Sequence, residues 1–200
     1  LYEIKKQTIH GSAFIYRGQK YHIRVAGEHQ IKNAILAIDT AQALGIPSKA
    51  IRQGLEKTRM PIRMEAVSKN PLIILDSAHN PDKIKTTVKT MLSLFDPKRN
   101  NLHLLLGFSE NKPLDRMLRE LALLNPKQIT ATRNSSHAFR KVADPRVIAK
   151  RLKRQAPQAK IQIFLEPFRA LKEAKKKLKK NDILLITGSV FLSGQLRAHF

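Results

Sequence analysis

The sequence contains no cysteine, no tryptophan and only 15 acidic residues among 200. The absence of cysteine excludes disulfides and thiolate metal sites and is typical of a reducing compartment, so we expect a cytoplasmic protein. No apolar run approaches the ~20 residues that a membrane-spanning helix needs, and we expect no membrane partner. The first residues include no initiator methionine and lack the pattern of a signal peptide. We therefore expect the chain to start inside a longer protein.

Several short catalytic and nucleotide-binding motifs are also absent. The sequence has neither the G-x-x-x-x-G-K-[ST] phosphate loop nor the G-x-G-x-x-G dinucleotide motif. It also lacks H-E-x-x-H and G-x-S-x-G. The chain therefore has no phosphate loop of its own, and nothing in it indicates a dinucleotide fold. The seven histidines do not fall at metal-ligand spacing, so we predict no metal site. His103 lies within an apolar run and is expected to pack in the core.

Positive charge is abundant: 38 Lys and Arg residues give a formal net charge of +23. Residues 145–180 hold 13 of them against two acidic residues, a local excess of 11. This composition suits nucleic acid, an anionic membrane surface or a polyanionic ligand, but also a solvated basic surface. No nucleic-acid motif and no aromatic interleaving for base stacking accompany it. We therefore favour the solvated surface and do not expect specific nucleic-acid recognition, although nonspecific binding at low salt fits the charge.

The first 60 residues change from strand-like to helical patterning. Residues 1–26 alternate as strands do, and Gly18 lies at a hairpin turn. Apolar residues then recur at helical spacing from Ile31 to Leu44, and a second short helix follows Pro47. A boundary is expected before Pro61, because the residue that precedes proline avoids helical geometry.

From Arg63 onward the pattern alternates between strands and helices. The predicted strands are Leu72–Leu75, Leu102–Leu106, Gln128–Ala131, Ile161–Leu165 and Ile183–Thr187. This alternation predicts an α/β fold, a mainly parallel sheet with helices on both faces. Right-handed crossovers place the loops that follow the strands at one edge of the sheet. Those loops are Asp76–Asn80, Gly107–Lys112, Arg133–Arg140 and Gly188–Ser189.

The stretch from Leu72 to Pro81 is the strongest local signal. Four aliphatic residues are followed by a carboxylate, a hydroxyl, an imidazole and an amide, and Pro81 suits the first position of a helix. Open α/β sheets bind ligands beyond the carboxyl ends of their strands. An Asp76 or Asn80 that only caps the following helix would produce the same pattern. Both interpretations stay open from this loop alone.

Three segments carry a resemblance to a known family. They are Gly27-Glu28-His29-Gln30-Ile31-Lys32-Asn33-Ala34, Pro61-Ile62-Arg63-Met64-Glu65 and Asp76-Ser77-Ala78-His79-Asn80-Pro81. They are similar to the G-x-H-Q-x-x-N-A, P-G-R-L/M-E and D-G-A-H-N-P motifs of folylpolyglutamate synthase/dihydrofolate synthase, in the Mur ligase superfamily. Order and spacing match, and residues 107–118 and 183–194 look like later family segments. The resemblance covers nearly the whole chain but only about the last half of the family's protein.

The resemblance implies a Rossmann-like Mur ligase carboxyl-terminal domain over residues 60–200. Residues 1–59 would be the end of the central, ATP-binding domain. Enzymes of this family join a folate-type carboxylate to glutamate: ATP phosphorylates the carboxylate, and the amino group of glutamate attacks the acyl phosphate. Magnesium and cationic side chains neutralise the charge. The implied partners are ATP, Mg²⁺, L-glutamate, a folate or dihydropteroate, and an amino-terminal ligase domain in cis or on a separate chain.

The resemblance also implies roles for individual residues. The nucleotide contacts would be His29, Asn33, Arg63 and Asp76, with Asp76 on the ribose. His79 would lie near the γ-phosphate and the incoming glutamate as a catalytic residue, and Lys112 and Ser189 would bind substrate. The family's phosphate loop and much of its metal site lie in the amino-terminal domain, so no metal ligand is implied here. Each of these residues could instead be an ordinary surface or capping residue.

The sequence departs from the family's pattern at three positions. Ser77 and Ile62 stand where the family has glycine, and Pro113 stands where it often has an acid. Ser77 is tolerable if its backbone does not need a positive φ. Because the phosphate loop is missing, we expect this chain alone not to catalyse ligation. The alternatives are a noncatalytic or split-chain nucleotide-binding remnant of the family and a basic nucleic-acid-binding protein.

Overall fold

The computed structural model describes residues 1–135 and 141–200, so the predicted loop Arg133–Arg140 lies largely outside the described residues. The chain divides into two compact units, Leu1–Glu65 and Ala66–Phe200. The sequence interpretation placed a domain boundary between residues 59 and 60. Within the described residues, no helix is both long and apolar enough to cross a membrane.

The first unit combines a small antiparallel sheet with two helices. Its elements are β1 (Tyr2–Thr8), β2 (Gly11–Tyr16), β3 (Gln19–Ile23), α1 (Glu28–Ala43) and α2 (Ser48–Lys57). β2 lies between β1 and β3. Arg17 and Gly18 both have positive φ and form the predicted turn, which matches the twist of the flanking strands. The core contains Phe14 and Tyr21 from the sheet and Ile31 and Ile38 from α1.

The rest of the chain forms a six-stranded sheet flanked by helices. Its elements are β4 (Glu65–Lys69), β5 (Leu72–Leu75), α3 (Pro81–Leu94), β6 (Leu102–Leu106), α4 (Leu114–Ala122), β7 (Gln128–Ala131), α5 (Pro145–Gln155), β8 (Lys160–Ile163), α6 (Pro167–Lys176), β9 (Ile183–Thr187) and α7 (Val190–Arg197). The strand order is β4-β5-β9-β6-β7-β8. The pairs from β5 through β8 are all parallel, which confirms the predicted α/β class.

Helices cover both faces of this sheet. α4 packs against both α3 and α5, and α6 packs against α7. Right-handed crossovers put α3, α4 and α5 on one face and α6 on the other, because the chain reverses direction after β8. β6 and β9 are buried along their whole length, which explains their mainly aliphatic sequences.

Local sequence sets the starts of three helices. Asn80, Asp144 and Glu166 each accept a hydrogen bond from a backbone N–H in the first turn, and proline follows each of them. The sequence predicted helix starts at Pro81, after the cap Asp144 and at about Pro167, and these starts are confirmed. β4 was missed because its residues are partly buried without alternation. Only Asn70 and Pro71 separate β4 from β5, so the two strands must run antiparallel.

Candidate functional site

The loops after β5, β9, β6 and β7 meet at the carboxyl edge of the six-stranded sheet. Backbone hydrogen bonds join them in pairs: Gly188 N–H to Ala78 O (3.0 Å), Gly107 N–H to Thr187 O (3.4 Å) and Thr132 N–H to Leu106 O (2.8 Å). Three of the four predicted loops therefore converge, together with the described beginning of the loop Arg133–Arg140. The remainder of that loop, residues 136–140, lies outside the described residues.

Gly188 allows this close approach. Its φ is +100°, and a Cβ there would lie 2.6 Å from the carbonyl oxygen of Gly107 and from the ring of Phe108. A Cβ at Gly107 would lie 3.0 Å from the carbonyl oxygen of Thr132. The two glycines therefore let three loops pack backbone against backbone.

Asp76 is the buried carboxylate of this edge, with 5% of its surface exposed. Its Oδ1 accepts hydrogen bonds from Thr87 Oγ1 at 2.7 Å, from the Ala78 N–H at 3.0 Å and from Thr187 Oγ1 at 3.5 Å. A buried carboxylate needs such donors to compensate for lost hydration. The hydroxyl of Ser193 also donates to the backbone carbonyl of Asp76 at 2.7 Å, so both the side chain and the backbone are held.

The sequence interpretation missed the hydroxyls that hold Asp76. Thr87 carried a readable signal, because it lies one helical turn from Ile84 and beside Val88 on the apolar face of α3. A polar residue on such a face needs a buried partner. Thr187 and Ser193 carried no such signal, since their sequence distance from Asp76 exceeds 100 residues.

His79 is half-buried at the end of the same loop. Its Nδ1 lies 2.9 Å from the carbonyl oxygen of Ser77. Because a carbonyl only accepts, Nδ1 carries the proton, and Nε2 of the neutral ring is then a hydrogen-bond acceptor. Ser77 is buried and is not among the residues with positive φ, so it satisfies the condition for replacing glycine.

Ser189 and Lys112 differ in their surroundings. Ser189 is 98% buried, and its Oγ accepts the N–H of Leu192 at 3.4 Å as the cap of α7. Its hydroxyl hydrogen remains a donor. Lys112 is partly exposed in the turn before α4 and lies on the loop that follows β6.

Two further polar side chains follow β7 at this edge. Thr132 and Asn134 are both buried, and within residues 1–135 and 141–200 neither Thr132 Oγ1 nor Asn134 Nδ2 has a hydrogen-bond partner. The next residue, Ser135, is fixed by Gln195, which accepts its backbone N–H at 3.1 Å and donates to its hydroxyl at 2.7 Å. Buried polar atoms of this kind are suited to contacting a ligand. The sequence interpretation did not identify Thr132 or Asn134.

The first unit has a pocket of its own, of about 230 Å³. It is lined mainly by aliphatic residues from β3, α1 and α2, and by the amides of Gln30 and Asn33. Asn33 Nδ2 donates to Gln30 Oε1 at 3.1 Å, which orients both amides. An aliphatic pocket with an oriented amide suits a flat heterocycle with donors and acceptors on its rim. His29 is half-buried in the first turn of α1.

Arg63 lies in a strained turn. Its neighbours Ile62 and Met64 have φ of +52° and +48°, a region that favours glycine. The Ile62 N–H donates to Glu65 Oε2 at 2.8 Å, which holds the turn. Ile62 therefore occupies a position where the family's glycine would be free of strain.

The described residues contain no group of three or more His, Asp or Glu side chains that could hold a metal ion.

A buried ionisable pair lies at the opposite, amino edge of the sheet. His103 Nε2 is 3.2 Å from Asp182 Oδ2, and both residues are buried, as expected for His103. Burial lowers the pKa of His103 despite the attraction of Asp182, and the Lys127 charge lowers it further. Burial opposes ionisation of Asp182, but hydrogen bonds from Lys179, Asn101 and His103 outweigh it and lower the pKa of the Asp182 carboxyl.

Comparison with known proteins identifies the class to which this fold and loop pattern belong. A family model described as "Mur ligase, glutamate ligase domain" matches residues 62–190. The chain belongs to this Mur ligase family, and the suspected resemblance is confirmed.

Similar proteins extend the match over almost the whole chain. The dihydrofolate synthase/folylpolyglutamate synthase of Bacillus subtilis is 29% identical over 180 residues, 86% of this chain and 39% of that protein. The Thermotoga maritima folylpolyglutamate synthase structure aligns with 98% of this chain and 45% of its own, at 28% identity and a TM-score of 0.79. The Mycobacterium tuberculosis folylpolyglutamate synthase complexed with ADP and AMPPCP shares the fold, at 22% identity, a TM-score of 0.84, and 99% and 47% coverage. The chain thus spans less than half the length of these relatives.

Proposed function

We propose that the chain is the carboxyl-terminal portion of an ATP-dependent ligase that adds glutamate to a folate or dihydropteroate carboxylate through an acyl phosphate. The observation that carries the proposal is the loop after β5. It holds a buried, donor-supported Asp76 and presents His79 at the carboxyl edge of a Mur ligase fold. Relatives that match most of the chain include folylpolyglutamate and dihydrofolate synthases.

The pocket of the first unit is proposed to take the adenine of ATP. The Asn33 amide keeps its Oδ1 and a second N–H after its contact with Gln30, so it can both donate to and accept from a purine edge. Aliphatic lining suits the faces of the base. Arg63 and His29 are proposed as further nucleotide contacts, because a guanidinium or imidazole can bind phosphate oxygens. That a relative was crystallised with ADP and AMPPCP supports this assignment.

The carboxyl edge of the second unit is proposed to bind the ribose and the incoming glutamate. Asp76 would accept from the ribose hydroxyls, and its three donors hold the carboxylate in one orientation. Neutral His79 would accept at Nε2 from the amino group of glutamate, orienting it and taking its proton. Lys112, the Ser189 hydroxyl, and the Thr132 and Asn134 groups that lack a partner among the described residues would bind the carboxylates of glutamate.

Other parts of the proposed enzyme lie outside this chain's described residues. Bound ATP supplies the phosphoryl group that activates the carboxylate, and Mg²⁺ neutralises phosphate charge. The phosphate loop and the magnesium ligands would come from an amino-terminal ligase domain, in cis or on a separate chain. This chain alone is proposed to be inactive, and the whole enzyme to work in the cytoplasm.

The test is glutamate ligation by the complete protein or complex from its native cells, with ATP and dihydropteroate or tetrahydrofolate. His79→Gln should lower kcat at least ~100-fold, in line with loss of general-base catalysis, while nucleotide affinity stays within about twofold. The exposed His10→Gln is the control and should leave both unchanged. Asp76→Asn should weaken ATP binding.

Two outcomes would contradict the proposal in different ways. ATP binding without ligation would identify a nucleotide-binding remnant of the family. If His79→Gln kept ligase activity and Asp76→Asn kept ATP binding, the site would lie elsewhere in the protein.

A further inference from the structure

Several lysines lie at the amino edge of the six-stranded sheet, opposite the candidate site. Lys160 N–H donates to the carbonyl of Lys127 at 3.0 Å, so these residues lie side by side at the starts of β8 and β7. Neighbouring strands are ~4.8 Å apart, so the two lysines stand at adjacent strand starts along this edge. Lys179 precedes β9, where its carbonyl accepts the Asp182 N–H at 3.0 Å.

The ends of α5 and α6 add more cations on either face of the sheet. We name the whole set the amino-edge basic surface. It comprises Lys127, Lys153, Arg154, Lys160, Lys175, Lys176, Lys177, Lys179 and Lys180, all exposed. The cations therefore lie along the amino edge between β8 and β9, on both faces of the sheet.

Acidic groups neutralise little of this surface. Among the described residues, Lys176 is the one member with an ion pair, at 2.7 Å from Glu173. The nearby Asp182 is buried and pairs with His103. Clustered like charges repel one another in the free protein. An anionic partner would relieve that repulsion.

Helix electrostatics explain only part of the cluster. Cations in the last turn of a helix offset its dipole, which accounts for residues such as Arg154 and Lys176. Lys127, Lys160 and Lys179 lie at strand starts and have no such role. Their position is explained by a ligand that spans the edge.

The chemistry of the surface favours nucleic acid over lipid. Leu178, the one apolar residue within 175–180, is partly buried, so this run offers no exposed apolar side chain to insert into a bilayer. One exposed aromatic ring borders the surface, because the Phe200 ring centroid lies 4.8 Å from Lys175 Nζ. Exposed Lys and Arg side chains bind the phosphate backbone without reading the sequence.

We propose that the amino-edge basic surface binds the phosphate backbone of nucleic acid, independently of its sequence. This activity lies at the edge of the sheet opposite the proposed ligase residues and does not depend on them.

The test measures binding of a fluorescein-labelled 20-nucleotide RNA of mixed sequence by anisotropy, between 50 and 200 mM salt. The variant Lys127→Gln/Lys160→Gln/Lys177→Gln/Lys179→Gln removes four surface charges. The control, Lys6→Gln/Lys20→Gln/Lys49→Gln/Lys57→Gln, has the same net charge but changes four exposed lysines of the first unit. Thermal unfolding of both proteins verifies that they are folded.

We expect the native protein to bind with a micromolar Kd at 50 mM salt and the surface variant to bind at least tenfold more weakly. The slope of log K against log salt should fall by about 3, since each lost phosphate contact on a single strand contributes about 0.7. The control should change the Kd less than twofold. Arginine at the same four positions should retain binding, and a second RNA sequence should bind equally.

Three results would overturn the proposal. No RNA binding at 50 mM salt would exclude the activity. Equal loss in the control and the surface variant would assign binding to net charge alone. Binding to phosphatidylglycerol vesicles that is lost in the surface variant, with RNA binding unchanged, would identify a membrane surface instead.

Discussion

At the residue scale, Asp76 depends on hydroxyls that are far away in the sequence. Its Oδ1 accepts from Thr87 of α3 and from Thr187 at the end of β9. Hydrogen bonds to a charged group contribute about 1.5–3 kcal/mol each when buried. The position of the proposed ribose contact is thus set by residues outside the D-x-A-H-N-P motif.

Replacing Thr87 with valine keeps the side-chain shape but removes the 2.7 Å donor to Asp76. We expect Thr87→Val to lower the free energy of unfolding by about 2 kcal/mol, measured by urea denaturation. The adjacent Thr86→Val is the control. Thr86 donates to the carbonyl of Asp82 in a partly exposed position, so its replacement should cost less than about 1 kcal/mol. Equal losses of unfolding free energy in the two variants would show that Thr87 does not support the Asp76 carboxylate.

Gly188 is constrained by both its backbone conformation and its neighbours. Gly188→Ala places a Cβ at φ +100° and 2.6 Å from the carbonyl oxygen of Gly107, so we expect a loss of at least about 2 kcal/mol of stability. Gly194→Ala in α7 is the matched control. It has open space around its Cβ and should stabilise the helix by about 0.5–1 kcal/mol. Similar urea midpoints for the two variants would contradict the close packing of the loops.

At the element scale, the Pro61–Glu65 turn combines two non-glycine residues at positive φ. Such a conformation costs an L-residue about 1–2 kcal/mol. Ile62 is partly exposed, whereas Met64 is 97% buried. Backbone strain therefore destabilises both positions, but only at Met64 does a buried side chain offset it.

This difference predicts opposite effects of glycine in the same turn. Ile62→Gly should raise the free energy of unfolding by about 1 kcal/mol, because strain is relieved with little loss of packing. Met64→Gly relieves the same strain but removes a buried side chain, and should lower stability by about 2 kcal/mol. Thermal denaturation measures both, and destabilisation by Ile62→Gly would mean that its side-chain contacts outweigh the strain.

At the scale of the whole molecule, the His103–Asp182 pair predicts that acid destabilises the fold. The pKa of His103 is lowered by burial from its ordinary value of 6.5. The unfolded chain therefore takes up a proton near pH 6.5 that the folded chain resists, and stability falls as the pH falls. Because the pKa of Asp182 is lowered from 3.8, its contribution is lost only at still lower pH.

The measurement is the urea midpoint between pH 8 and pH 5. We expect it to decline below about pH 6.5, and His103→Gln should remove part of the decline. His22→Gln, at an exposed position of β3, should leave the decline unchanged. A parallel decline in His103→Gln would show that other groups cause it.

Short-range patterns made much of the fold predictable. The strands β5, β6, β7 and β9 were predicted at their observed bounds. β5, β6 and β9 are mainly aliphatic runs between turn residues, as buried parallel strands are, whereas β7 also holds Gln128 and Thr130. The starts of α3, α5 and α6 were also predictable, since a capping side chain and proline act within one turn. The Lys-rich pattern predicted a helix to about Lys180, but α6 ends at Lys176, because Asp182 organises the turn before β9.

Long-range pairing made other features unpredictable. β9 inserts between β5 and β6 although more than 70 residues separate it from either, and no local pattern encodes that position. The same insertion brings Thr187 and Ser193 to Asp76 and Gly188 to Gly107. No sequence pattern singles out Thr132 and Asn134 as candidate ligand contacts. Their burial beyond the end of β7 identifies them.

Periodicity, caps and short motifs act over a few residues, so the α/β class, the family and the motif residues could be predicted from the sequence. The hydroxyls that hold Asp76, the cap of α7 by Ser189 and the lysines from three strand starts at one edge became apparent only in the fold. Those arrangements depend on strand order and crossover direction. Both are set by burying all helices and strands together rather than by any single segment.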